Sequence, residues 1–493
     1  MSEKLNIDWD EILKNEDIES QWSIFRRKYI EALEECVPQK KINTNKRRYK
    51  YPLDSKTRSK IKRKDRLWKQ YMGTKDGKIY EEFCRLRNQI RRLTRKAQKL
   101  FEKNIVKQIK QNPKKFWRYA SSKSKTKAGI PNLYKEDKTL TVDDQEKADV
   151  LANFFSSVFV EDTEQDVEDI APTHRQEHML QISEEDVYKK LNNLNIAKSP
   201  GPDNIHPRVL KELGRTLSKP LSIIYNTSLS TAAIPAEWKQ AQITSIYKKG
   251  GKRNAGNYRP VSLTSIICKT MESLVRDDIM KHMKENNLFS DKQYGFISGR
   301  STVLQLLTVL DMWTEMLHIG GCVDIIYCDF QKAFDKVSHI KLIDRMRCFG
   351  IHSSIITWTQ TFLSNRQQRV NVNGCLSRWH SVISGIPQGS VLGPLLFVIF
   401  INSLPLTASS SHIFLFADDT KIFKHILCPE DCESLQRDVT AMCQWADKSK
   451  LKFHPEKCVY MRIGRGITPE YIYKMGPNNL EKSSQEKDLG GHH

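Results

Sequence analysis

At 493 residues, with 39% hydrophobic and 28% charged residues, the chain is too long for one ordinary domain and can build a buried core beneath a polar surface. Its formal net charge of +22 points to a polyanionic partner. Residues 41–115 hold 27 Lys+Arg against 6 Asp+Glu, a balance of +21, so everything else together carries only +1. The 11 cysteines are scattered without a CxxC pair or a second Cys/His pair at zinc-finger spacing, and read as reduced thiols of an intracellular protein.

The first dozen residues are acidic and polar, so they are no signal peptide. Trp22, Phe25, Tyr29 and Leu33 predict a helix ending near Pro38. In the basic segment, Ile79, Phe83, Leu86, Ile90, Leu93, Ala97 and Leu100 form one apolar stripe of a long helix. Arg85, Arg87, Arg91, Arg92, Arg95, Lys96 and Lys99 cover much of the remainder. A solvated basic arm is one reading. Phosphate-backbone binding is the preferred one, because Trp68, Tyr71, Phe116, Trp117 and Tyr119 offer stacking surfaces. Residues 121–127 read as a Lys/Ser linker, 140–160 as a helix with Phe154 and Phe155 near its end, and 161–176 as a loose acidic stretch. A second linker-like string spans 198–203. From there to about residue 465, strands and helices alternate in an α/β or α+β pattern. The apolar run 391–406 is broken by Gly393, Pro394, Asn402 and Pro405, and is too short and interrupted to span a membrane.

The string Phe416-Ala417-Asp418-Asp419 carries the most chemistry. Apolar residues precede it and resume at Ile422 and Phe423, which predicts strand, tight turn, strand with two acids at the turn. An exposed Asp-Asp turn is the plain alternative. Adjacent carboxylates repel, and a site that keeps both charged holds a hard cation such as Mg²⁺ bound to phosphates. The β-rich run 322–328 delivers a third acid, Asp329, at its end, before a helix-compatible stretch at 332–337. Taken alone, Asp329 would read as a helix N-cap. One carboxylate at a strand end and two on a neighbouring hairpin can converge on two metal ions and clamp a phosphoryl transfer.

Seven strings, AKSPGPDNIHPRVLKEL, NYRPVSLTS, QYGFISGRST, DFQKAFDKVSH, GIPQGSVLGPLLFVIFIN, FADDTK and EKCVYM, occur in order over roughly residues 195–490. With them the chain resembles the reverse transcriptases of non-LTR (LINE-type) retrotransposons, of the jockey and chicken-repeat groups. The resemblance implies an α+β right-hand polymerase with fingers and palm over 195–490. A basic helical linker (1–120) and a helical extension (121–194) would precede it. It implies RNA-directed DNA polymerisation with an RNA template, a DNA primer or target and dNTPs. Two Mg²⁺ ions, replaceable by Mn²⁺, would be held by Asp329, Asp418 and Asp419. The family often has Tyr where this chain has Phe416, which keeps the ring and loses a hydroxyl.

The same resemblance makes Phe334 the gate against a ribose 2′-hydroxyl and puts Gln388 and Gly389 beside the incoming nucleotide and template. Lys248 and Arg259 become the cations that grip the triphosphate, with Lys249, Lys252 and Arg253 close by in sequence. Arg300 contacts template or supports the fingers. Lys457 matches a lysine proposed to protonate pyrophosphate, or serves as a counter-charge. Asp335 belongs to the family string without a role. Arg85, Arg91, Arg92 and Arg95 are the candidate nucleic-acid contacts of the basic helix. Residues 486–490 match the start of a primer-grip hairpin, so the expectation is a truncated element or a truncated gene model, ending at 491–493, without thumb or endonuclease. Family behaviour implies RNA binding in the cytoplasm and DNA synthesis in the nucleus, with no membrane partner. Two other readings remain: a catalytically weak remnant that only binds nucleic acid, and an RNA-dependent RNA polymerase, against which Phe334 argues.

Overall fold

The computed structural model describes residues 1–38, 51–109, 116–117, 119–120, 129–160, 176–464, 471–489 and 491–492. The expected linker at 121–127, nearly all of the acidic stretch 161–176, and Gly490 lie outside these residues. The chain divides into two compact units, Met1–Glu35 with Ile130–His493, and Cys36–Gly129. Residues 1–35, expected to go with the basic segment, pack into the larger unit instead. Helix α1 (Ile18–Cys36) buries Trp22, Phe25 and Tyr29 there, and Trp22 meets Trp238 edge-on with ring centroids 5.3 Å apart.

The smaller unit is a helical hairpin of α2 (Ser55–Thr74) and α3 (Gly77–Lys107). Asp54 and Asp76 cap the two helices through their side chains, and Lys75 turns the chain in the left-handed region at φ +55°. Trp68 packs on Phe83 and Tyr71 on Tyr80, each pair with centroids 4.9 Å apart, so these rings close the hairpin. Arg85, Arg91, Arg92 and Arg95 are all exposed on α3.

In the larger unit, α4 (Asp144–Ser156) lies over a mixed sheet. That sheet pairs β1 (Gln240–Tyr247) antiparallel with β2 (Tyr258–Leu263) and parallel with β4 (Arg366–Val372), which also pairs antiparallel with the short strands β5 (Cys375–Leu376) and β6 (His380–Val382). A second sheet holds the middle of the molecule. Its core strands are β3 (Cys322–Cys328), β7 (His412–Phe416), β8 (Asp419–Ile426) and β9 (Val459–Gly464), in the order β9-β3-β8-β7, all antiparallel. Strand alternation sorts the side chains of this sheet. Cys322, Ile326, Ile413, Ile422 and Ile426 face the main core. Val323, Ile325, Phe414, Phe423 and Met461 face a smaller cluster with Val309 and Trp313 of α5 (Thr302–Ile319).

The apolar run 391–406 forms α6 (Gly393–Ile401), whose GPLLFVIFI is hydrophobic all round and buried throughout except for Pro394. Among the described residues, no helix is long and apolar enough to cross a membrane. All 11 cysteines are free. The stretch 332–337 is not the helix its composition suggests but a single 3-10 turn, Ala333–Asp335. The residues 384–386 take up its backbone groups instead: Ile386 N–H donates to Phe334 O at 2.7 Å and Gly385 N–H to Val337 O at 2.8 Å. Lys332 sits at φ +49°, outside helical geometry.

Candidate active site

Asp329 follows β3 directly, and the β3–β8 register pairs Cys328 with Thr420. Continuing that register by one residue sets Asp329 across from Asp419, on the face shared by Ile325 and Phe423. Like charges opposite one another on adjacent strands repel. The β7–β8 hairpin turns through Ala417 and Asp418, with Phe416 paired to Asp419, as the alternation predicts. Ala417 holds the turn at φ +57°, a left-handed conformation that costs a non-glycine residue about 1–2 kcal/mol. A fully buried side chain supports it: Gln293 Oε1 accepts from Ala417 N–H at 3.0 Å and Gly295 N–H at 2.8 Å.

The electrostatics follow from this crowding. Asp418 is raised above the ordinary carboxylate range, by lost hydration first and by Asp329 next, while Arg259 and Lys248 oppose the shift. Asp419 is pushed up to about 6, by lost hydration and then by Asp418, Asp329 and Asp488. One side of Asp419 is nonetheless open to solvent, so the repulsion is partly screened there. The carboxylate of Asp329 lies 3.1 Å from the Lys457 ammonium. Among the described residues, no three carboxylate, His or Cys side chains are gathered closely enough to form a ready-made metal cluster. The donor set nonetheless suits a divalent cation: hard carboxylate oxygens, two of them raised in pKa by burial and then by neighbouring carboxylates, whose repulsion added positive charge would relieve.

A cavity of about 370 Å³ opens beside Asp329 and Asp419, lined also by Lys249, Lys457 and residues 486–489. The cations of the other sheet stand near its strand ends. Lys248 follows β1, and Arg259 lies in β2 opposite Ile246. Phe334 stacks on Phe397 of α6 with centroids 4.5 Å apart, which fixes its ring. Gly389 is at φ +112°, and a Cβ there would meet Ser262 O at 2.7 Å. Arg300 donates to the carbonyls of Ser290 and Gln293, both at 2.5 Å, and so braces the segment that holds the Ala417 turn. Arg85, Arg91, Arg92 and Arg95 belong to the separate helical unit.

Three features escape a residue-by-residue reading. Asp335 receives a 2.7 Å hydrogen bond from the Gln388 amide, which aims that side chain; its own carboxyl is raised by burial. Buried Glu272 accepts from Val391 N–H at 2.6 Å and Leu392 N–H at 3.1 Å, anchoring the loop before α6. Asp324, an acid inside β3, is not catalytic in geometry. It is fully buried in a two-armed pair with Arg462, at 2.6 Å on each arm, and accepts from the Tyr473 hydroxyl at 2.6 Å. The partners in all three lie far apart in sequence, and no local signal joins them.

Residues 246–490 match the family described as "Reverse transcriptase (RNA-dependent DNA polymerase)", and this region of the chain belongs to that family. Over 293 residues the chain is 30% identical to the "Probable RNA-directed DNA polymerase from transposon BS" of Drosophila melanogaster, covering 56% of this chain and 32% of that one. It is 26% identical over 473 residues to the "RNA-directed DNA polymerase from mobile element jockey" of the same species, covering 91% of this chain and 51% of that one. Within that family, the matched region is similar to the RNA-directed DNA polymerases of non-LTR, LINE-type elements of the jockey-like kind. It spans between 32% and 51% of the length of these two relatives.

Proposed function

We propose that this chain adds dNTPs to a DNA primer on an RNA template, with the four-stranded antiparallel core of the second sheet as palm and the β1–β2 hairpin as part of the fingers. The observation that carries the reading is the placement of Asp329, Asp418 and Asp419 at two adjoining strand ends beside an open cavity, where burial first and neighbouring carboxylates next raise Asp418 and Asp419. The primer 3′-hydroxyl attacks the α-phosphate, and pyrophosphate leaves. Divalent cations, Mg²⁺ with Mn²⁺ as substitute, would be held by the three aspartates and supply charge neutralisation and a more acidic hydroxyl. Lys248 and Arg259 offer positive charge to the triphosphate. Phe334, its ring fixed against Phe397, leaves no room for a 2′-oxygen. Gln388, aimed by Asp335, faces the base-pairing partners. Lys457, paired with Asp329, is the proton donor or counter-charge for the leaving group.

Primer extension on an RNA template tests the reading. The full chain extends the primer, and Asp418→Asn slows it about 1,000-fold, equivalent to roughly 4 kcal/mol of transition-state stabilisation. Equal rates for the two proteins would remove the claim.

A further inference from the structure

The cavity beside the acids has two walls. One carries Asp329, Asp419 and Lys457, and the other is formed by residues 486–489. The second wall is slight. Its two-residue strand Lys487–Asp488 pairs with Gly491–His492, and Leu489 sits at φ +48°. A ribbon that short has no stability of its own. Upstream, Glu481–Lys482 runs parallel along β9, and Ser483 N–H donates to Tyr460 O at 2.8 Å, which brings the chain to the sheet. What fastens the wall itself is an ion pair. Asp488 accepts from the Lys421 ammonium, with the two side chains 5% and 4% exposed. Lys421 lies two residues along β8 from Asp419, on the same face, opposite Tyr327. Beside the pair, the Tyr327 hydroxyl and both amide atoms of Gln305 are buried without hydrogen-bond partners.

Burying two charges is costly, and a well-packed apolar pair would hold two segments together at lower cost. An ion pair adds direction and distance. We propose that Lys421 and Asp488 are positioning residues: their buried pair fixes residues 486–489, which by resemblance begin the primer grip, at a set gap from Asp419. The inference rests on the polymerase reading above.

The test uses the full chain as wild type, as the double variant Lys421→Met/Asp488→Leu, which leaves no lone buried charge, and as Asp488→Glu, which keeps the pair but lengthens it. Three quantities are read: thermal unfolding, amide hydrogen exchange of residues 486–489, and separate KM values for primer–template and for dNTP. In the double variant the unfolding midpoint stays near wild type and the amides of 486–489 exchange at least about tenfold faster. Its primer–template KM rises about tenfold while dNTP KM stays within about twofold. Asp488→Glu moves primer KM in the same direction by a smaller factor. The idea is overturned if the double variant fails to fold, which would make the pair a stability element. Unchanged exchange and primer KM, or a parallel rise of both KM values, overturns it equally. A wild type that extends no primer defeats the polymerase reading alone, since exchange at 486–489 still decides whether the pair positions the wall.

Discussion

The raised pKa of Asp419 links charge to ligand. Its folded value, about 6, lies above that of a free carboxyl, so the folded state binds this proton more tightly than the unfolded chain does. The group therefore favours folding while it is protonated, and that contribution is lost as pH rises from the unfolded value through about 6. A divalent cation held among the acids would reverse the preference and displace the proton. At pH near 6, Mg²⁺ binding should release a fraction of a proton per chain. Calorimetry in two buffers of different ionisation enthalpy reads it directly. A binding heat independent of buffer would show that Asp419 is already ionised.

The β7–β8 hairpin was legible from sequence because apolar alternation, a two-residue turn and a second apolar run all point the same way. The 332–337 stretch was not, because hydrogen bonds from residues 384–386, some fifty positions on, override its local helical preference. The site divides along the same line. Strand position alone placed Asp329, Asp418 and Asp419 at adjoining strand ends, whereas Lys421 with Asp488 and Asp335 with Gln388 are joined only by the fold. What holds the hairpin tip was equally hidden. Gly295 approaches the turn so closely that a Cβ would stand 2.4 Å from Ala417 N. Gly295→Ala must push the turn away or break the Gln293 clamp. The expected cost is about 1–3 kcal/mol of stability, with a loss of extension rate larger than the loss of stability alone explains. Denaturant unfolding and primer extension, run on the same preparation, separate the two effects. A variant as stable and active as wild type would mean the turn needs no such support.

Across the whole molecule, charge and chemistry are segregated. Residues 41–115 carry +21 of the +22 net charge, and the acids sit in the other unit. The helical hairpin should therefore supply the salt-sensitive part of RNA affinity. Replacing Arg85, Arg91, Arg92 and Arg95 by Gln should flatten the slope of log K against log salt by about 0.7 for each phosphate left without its arginine, up to roughly 3 in all, on a single strand. Asp418→Asn should leave that slope unchanged. Filter binding between about 50 and 200 mM salt measures both. If the arginine variant keeps the wild-type slope, the exposed α3 arginines are not the interface.

The buried pairing of Lys421 with Asp488 also bears on how such a sequence can change over generations. Losing either member alone leaves a buried charge without its partner at a cost of about 3–5 kcal/mol, a large part of what keeps a typical domain folded. Single-step drift at these two positions is therefore closed. The route that stays open is a paired replacement, by which copies of the chain would diverge in two linked letters rather than one.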